Sequence, residues 1–310
     1  MSFICVFPGQ GSQSVGMLAG LAENAAVKST FDIAQQVLGM DLWKITQEGP
    51  EEQLNQTDIT QPAMLAAGVA VYRAWIAAGG AEPALMAGHS LGEYTALVCA
   101  GALSFEDGLR AVRERGLQMQ AAVPPGQGAM AAILGLDDAQ VQRVCEAGAQ
   151  GEIVAPANYN TPGQVVIAGA ANAVDRVVEL AKAAGAKRAK QLSVSVPSHC
   201  ALMKPAAEKF AQTLCAISFV SPIIPVIHNV DAQSYSDVEQ IREALAKQLY
   251  QPVRWAETIL SLQTRGIRTL VECGPGKVLV GLNKRIDSEI ISFPIFDEAS
   301  LAAALGGIAS

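Results

Sequence analysis

Apolar residues along this 310-residue chain fall into short runs that alternate with stretches of helical spacing. "FICVF" (3–7) predicts a buried strand. "TQPAMLAAGVAVYRAWIAAGG" (60–80) predicts a helix, with Pro62 in its first turn and glycines after its end. "ALMAG" (84–88) reads as a short strand and "LGEYTALVCAG" (91–101) as a helix. Ser104 and Asp107 form an S-x-x-D cap for a further helix reaching about Ala122. Strand followed by helix, repeated, is the signature of a parallel α/β sheet.

"PPGQG" (124–128) interrupts that rhythm. Beyond it come a strand ("AMAAILG"), a helix ("DDAQVQRVCEAG"), two strands joined by "TPG" ("IVAPANYN" and "QVVIAG"), a helix ("NAVDRVVELAKAAG") and a strand ("RAKQLSVSV"). The order β-α-β-β-α-β is the ferredoxin-like one. The expected organisation is therefore a large α/β domain, residues 1–126 and 197–310, with a small ferredoxin-like domain inserted at 127–196. After Pro197, "SHCALMKPAAEKFAQTLCAI" predicts a helix and "IPVIHN" a strand. Two helices cover about 238–265, followed by the strand "TLVECG" and the helix "VLVGLNKRI".

Composition narrows the function. Half of the residues are hydrophobic, ample for a large core, and the net charge is −7. A nucleic-acid binder would be expected to be basic, so that class is set aside. The longest apolar stretches are broken by charge before spanning length, and "MSFICVF" lacks the form of a secretion signal, so no membrane or export is expected. The six cysteines include no C-x-x-C pair and read as reduced thiols of a cytosolic protein, not a disulfide frame or zinc site.

Two loops carry candidate chemistry. "VFPGQGSQ" (6–13) places a Gly-rich turn after the first strand. Gly9 and Gly11 fit a dinucleotide fingerprint, but the third glycine would fall at Ser14, so the fingerprint fails. "AGHSLGEY" (87–94) places G-x-S-x-G at Gly88, Ser90 and Gly92 between a predicted strand and a predicted helix. The bare pattern is weak in a chain with 28 glycines, and a helix-capping serine would also explain it. The strand–turn–helix context is what a nucleophile elbow requires. A serine needs a base, and only three histidines exist. His89 adjoins Ser90 in the turn and should point elsewhere. His199 lies where the insertion returns to the large domain, a place where clefts form, and is the first choice. His228, at a strand end, is the fallback. Asp231, Glu257 and Glu272 are late enough in the chain to orient the base, and none sits in a recognisable motif. Cys200 reads as a packed thiol.

Further stretches complete a pattern: "TQPA" (60–63), "RGLQMQ" (115–120), "GAMAAILGL" (128–136), "NYNTPGQVVIAG" (158–169), "VPSHCALM" (196–203), "QLYQPVRW" (248–255) and "GPGKVL" (274–279). With "FPGQGSQ" and "GHSLGEY" they run in order to about residue 286. The chain thereby resembles the malonyl-CoA:acyl carrier protein transacylases of type II fatty acid synthesis, with polyketide synthase acyltransferase domains as more distant relatives. The resemblance implies an α/β-hydrolase-like large domain and malonyl transfer to the phosphopantetheine thiol of acyl carrier protein. It implies Ser90 as the acylated nucleophile and His199 as its base. Gln10 and Leu91 correspond to the main-chain oxyanion donors, and Arg115 to the arginine that holds the malonyl carboxylate. Gln248 matches the residue whose main-chain carbonyl orients the histidine, which removes the need for a triad carboxylate. Asn158 matches a position near the site. No cofactor or metal is implied, malonyl-CoA being the substrate.

Tyr159 stands where phenylalanine is expected, and the tail after residue 287 matches poorly. From the sequence alone Arg115 would pass for a surface residue, since Arg110, Arg113 and Arg115 look alike in "RAVRERG". Lys182, Lys187, Arg188 and Lys190, with Lys204 and Lys209, could form a docking patch for an acidic carrier or be ordinary solvated charge. Alternatives are a serine thioesterase or hydrolase using the same pair, the malonyl transferase subunit of a malonate decarboxylase, and a non-catalytic carrier-binding module.

Overall fold

A computed structural model describes residues 2–192, 194 and 196–309. The chain opens with β1 (Ile4–Phe7), then α1 (Ala25–Leu38), α2 (Leu42–Glu48), α3 (Glu51–Leu54) and α4 (Thr57–Ala77). β2 (Leu85–Gly88), α5 (Gly92–Cys99) and α6 (Phe105–Ala122) follow. Next come β3 (Gly128–Leu134), α7 (Asp138–Ala149), β4 (Val154–Thr161), β5 (Gln164–Ala170), α8 (Ala171–Ala183) and β6 (Arg188–Gln191). The chain closes with α9 (Lys204–Ala216), β7 (Val226–Ile227), α10 (Val238–Gln248), α11 (Trp255–Thr264), β8 (Thr269–Cys273), α12 (Val278–Ile286), β9 (Ile291–Ile295) and α13 (Glu298–Ala309).

The first sheet is parallel, in the order β7-β2-β1-β8-β9. Side chains alternate faces along β1. Phe3, Cys5 and Phe7 enter the larger core with α1, α4, α5, α6 and α9, while Ile4 and Val6 enter a second core with Trp255, Ile259, Leu262 and Leu279. A sheet buried on both faces explains why its strands read as unbroken apolar runs. The second sheet is antiparallel, in the order β4-β5-β3-β6. Its Ala131, Ile133, Val165 and Ile167 pack on α7 and α8. Its other face, with Met130, Ala157, Val166 and Ala168, meets Cys200 and Leu202. β4 is tied to the first unit by hydrogen bonds from Tyr159 N–H to Val253 O and from Val253 N–H to Ala157 O. The molecule is thus a mixed α/β protein with a parallel sheet and a smaller antiparallel one in βαββαβ order.

Several boundaries differ from those read in the sequence. α4 begins at Thr57, so Pro62 lies inside the helix rather than in its first turn. The missing N–H forfeits one bond, to the Asp58 carbonyl, and burial of nearly every neighbouring residue holds the helix together. The helix expected from Ser198 starts later. His199 takes a left-handed φ of 64° and donates its N–H to Leu249 O, and regular turns begin at Ala201. β6 ends at Gln191, Leu192 and Val194 are outside it, and Ser193 and Ser195 of the predicted strand lie outside the described residues. "IPVIHN" is strand only at Val226–Ile227, because His228 N–H turns to Gln233 O. Residues 25–54 supply three helices, and the tail supplies β9 at the sheet edge and α13, none of which was anticipated.

α4 and α6 pack closely because Gly116 has no side chain: a Cβ there would lie 2.8 Å from Asp58 Cα and 2.9 Å from Thr57 O. Those are backbone atoms that cannot swing aside. Gly116→Ala is expected to lower unfolding stability by about 1–3 kcal/mol in a denaturant titration, as overpacking does. An unchanged midpoint would contradict this packing.

Candidate active site

β1 and β2 are hydrogen-bonded neighbours with Phe7 opposite Gly88, so their exits lie side by side at the carboxyl end of the sheet. Ligand sites of open parallel sheets form at such exits. Ser90 follows β2 with a φ of 52°, the strained turn of a nucleophile elbow. The elbow is sterically exacting. A Cβ on Gly88 would lie 1.8 Å from Gly92 C, and one on Gly92 would lie 2.1 Å from Phe7 O. The PGQG loop lies against the same turn: a Cβ on Gly9 would fall 2.3 Å from His89 O. Gln10 and Leu91 each stand three residues beyond the paired strand ends. Among the described residues, neither main-chain N–H has an acceptor, whereas the Ser90 N–H is taken by Asn229 Oδ1 at 2.6 Å.

The sheet edge gathers the other partners. Ser90 Oγ is 2.7 Å from His199 Nε2, and His199 Nδ1 is 2.6 Å from the Gln248 carbonyl. That contact requires Nδ1 to carry the proton, leaving Nε2 free to accept from the serine hydroxyl. Arg115 is buried, not a surface residue like Arg110. It donates to Gln61 Oε1 at 2.9 Å and Gln248 Oε1 at 2.9 Å, lies over the Tyr94 ring, and reaches 3.4 Å from Ser90 Oγ. No carboxylate is bonded to it among the described residues. Burial, together with this cation, pushes the His199 imidazole down to about 3. It is therefore neutral, and able to accept a proton, across the physiological range.

Ser90, His199, Gln10, Leu91, Arg115 and Asn158 all border one cleft of about 100 Å³. Met130 and Asn158 of the second sheet form one of its walls. Gln248 is buried behind it. Asn158 Oδ1 is buried without a partner among the described residues. His89 also borders the cleft, but its Nε2 bonds Asn160 Oδ1. His228 is fully buried and bonded through Nδ1 to Glu93. The three carboxylates considered as orienters serve elsewhere. Asp231 holds Gln233 N–H and the Tyr235 hydroxyl, Glu257 pairs with Arg254, and Glu272 accepts the N–H groups of Leu279 and Val280. Cys200 is buried, its thiol raised to about 11 by burial. Lys187, Arg188 and Lys190 are exposed, and Lys182 pairs with Glu179.

Sequence reasoning missed Gln61, Glu93 and Asn229. Glu93 stands in the quoted GHSLGEY and Gln61 in TQPA, but nothing in their spacing marks them as buried beneath the site. Asn229 follows β7 and needed the sheet order to be seen.

Comparison with known proteins identifies the family. The chain matches the acyl transferase domain family over residues 4–290. It is 55% identical to the malonyl CoA-acyl carrier protein transacylase of Salmonella typhimurium, over 98% of both chains. It is 45% identical to that of Bacillus subtilis, over 97% of this chain and 95% of the other. Among solved structures, the malonyl CoA-acyl carrier protein transacylase of Coxiella burnetii superposes with a TM-score of 0.98 at 51% identity, covering 99% of this chain and 97% of that one. A malonyl-transacylase solved in complex with a type II PKS acyl-carrier protein also gives 0.98, at 55% identity, covering 99% and 100%. The chain belongs to the acyl transferases, and among them to the malonyl CoA-acyl carrier protein transacylase family.

The low basicity of His199 has a kinetic consequence. Depressed below its usual 6.5, it stays unprotonated as pH falls. Labelling of Ser90 by an uncharged sulfonyl fluoride is expected to hold its rate from about pH 8 down to about pH 4 and to fall only below that. Removing the neighbouring cation in Arg115→Met moves this acid limb upward. Half-maximal labelling near pH 6.5 in the unaltered protein would contradict the assignment.

Proposed function

We infer that Ser90 carries the malonyl group from malonyl-CoA to the phosphopantetheine thiol of acyl carrier protein. The observation that carries this reading is the placement of a buried guanidinium 3.4 Å from the oxygen that His199 contacts at 2.7 Å. Malonyl differs from acetyl by a carboxylate one methylene beyond the reacting carbonyl. A cation beside the nucleophile is within reach of that group and grips it through paired charge-assisted hydrogen bonds. A neutral acyl chain would leave the cation buried and unanswered, which costs several kcal/mol.

His199 takes the Ser90 proton as Oγ attacks the thioester carbonyl. The tetrahedral oxyanion rests on the N–H groups of Gln10 and Leu91, each contributing about 3 kcal/mol when fixed in place. The Gln248 carbonyl holds the imidazolium, so no triad carboxylate is needed. The coenzyme A thiolate leaves with the proton returned by His199. The carrier thiol then attacks malonyl-Ser90 by the reverse steps, and the kinetics are ping-pong. This scheme uses no metal or redox cofactor.

Residues 127–196 act in this reading as a small domain that walls the cleft through Met130 and Asn158. The reading also places the enzyme in the cytosol. Its support is that the six cysteines are unpaired and that no described helix is long and apolar enough to cross a membrane.

Mixing the protein with malonyl-CoA is expected to give a malonyl adduct by intact mass that Ser90→Ala does not form. Adding holo carrier is then expected to discharge it to the carrier. Release of free malonate in place of carrier acylation would make the protein a hydrolase. Arg115→Ala is expected to lower kcat/KM for malonyl-CoA by about 2–5 kcal/mol, roughly thirty- to several-thousand-fold, and to collapse the preference over acetyl-CoA. An unchanged malonyl-to-acetyl ratio would remove Arg115 from substrate recognition.

A further inference from the structure

Glu93 lies three residues beyond the nucleophile, in the first turn of α5, and is fully buried. Its Oε2 accepts the Asn229 main-chain N–H at 3.0 Å and Gln248 Nε2 at 2.7 Å, and its Oε1 meets His228 Nδ1 at 2.7 Å. Those partners lead straight to the reacting groups. Asn229 accepts the Ser90 N–H and donates Nδ2 to Gly88 O at 2.7 Å. Gln248 donates Nε2 to Ser90 O at 2.9 Å, while its own carbonyl accepts from His199 Nδ1. The main-chain N–H and C=O of Ser90 are therefore pinned by two amide side chains, and both residues are fastened to one carboxylate. A serine at a φ of 52° persists only where its surroundings over-determine the turn.

We propose that Glu93 is a positioning residue for the transfer: through Asn229 and Gln248, its carboxylate fixes both the strained backbone of Ser90 and the carbonyl that orients His199. This rests on the reading of Ser90 as the nucleophile. Glu93 touches neither substrate nor reacting atoms and acts by geometry. The isosteric amide can reproduce that geometry. Its oxygen faces Asn229 and Gln248, and its NH2 turns to His228 Nδ1, which accepts once the proton sits on Nε2, an atom without a partner among the described residues. Aspartate keeps the charge but withdraws both oxygens by about one carbon–carbon bond.

The test is single-turnover acylation by malonyl-CoA, followed by rapid quench and intact mass. Glu93→Asp is expected to slow acylation at saturating substrate at least about tenfold, with KM within about threefold, as a displacement near one ångström does. Glu93→Gln restores most of that rate. Gln248→Leu keeps the main-chain carbonyl yet also slows about tenfold or more, and combining it with Glu93→Asp costs less than the product of the two losses. The proposal is overturned if Glu93→Asp acylates at the wild-type rate, if Glu93→Gln is no faster than Glu93→Asp, or if the paired losses multiply. Should Glu93→Asp not fold, Gln248→Leu at the wild-type rate overturns it alone. An unaltered protein that forms no adduct fails the nucleophile reading itself. A labelled wild type with indifferent variants fails only the role of Glu93.

Discussion

The site depends on how closely the exits of two neighbouring strands can approach. Phe7 and Gly88 pair across β1 and β2, and the chain must turn sharply after both. Gly9, Gly88 and Gly92 occupy the contacts where any side chain would strike a peptide group. That closeness brings two loops eighty residues apart in sequence to one cleft beside Ser90, where the proposed transfer develops its oxyanion. Among the described residues it also leaves the Gln10 and Leu91 amides unengaged, while Asn229 occupies that of Ser90. Donors fixed before the reaction need no reorganisation during it, which is why such an arrangement is catalytically effective.

The second constraint is electrostatic. Arg115 is buried with two glutamine carbonyls for company and with Glu93 one amide further away, across Gln248. Neutral amides take an N–H from each of its two terminal nitrogens without cancelling its charge, and its Nε has no partner among the described residues. In the proposed function the uncancelled charge draws an anionic acyl group; with burial it keeps His199 neutral. Gly116, the next residue, lets α6 lie against α4 closely enough for Gln61 to reach the guanidinium. A packing requirement and a charge requirement thus meet in two adjacent residues.

Much of this was legible in the chain, for identifiable reasons. The parallel sheet announced itself because strands buried on both faces are apolar throughout, and the smaller antiparallel sheet because its elements are short and well punctuated. Ser90 stood out because an elbow needs glycines at fixed offsets, and His199 because histidines are few and one lies at a unit junction. Arg115 was not separable from Arg110 by periodicity. Its burial arises from the α4–α6 contact, a tertiary fact. Gln61 depends on the same contact, and Glu93 and Asn229 were invisible for a similar reason: their partners lie across the sheet edge, and only the strand order places β7 beside β2. The late start of the helix after His199 reflects a left-handed residue held by Leu249, which local propensity does not anticipate.

The central claim is that two loop amides receive the oxyanion while a buried cation receives the acyl carboxylate. A crystal structure of the malonyl-enzyme tests it most directly. The account predicts an ester at Ser90 Oγ, its carbonyl oxygen within about 3 Å of both the Gln10 and Leu91 nitrogens, and its carboxylate paired with the Arg115 guanidinium. An ester whose carbonyl points away from those amides, or whose carboxylate lies in solvent with Arg115 still bound only to Gln61 and Gln248, would contradict it.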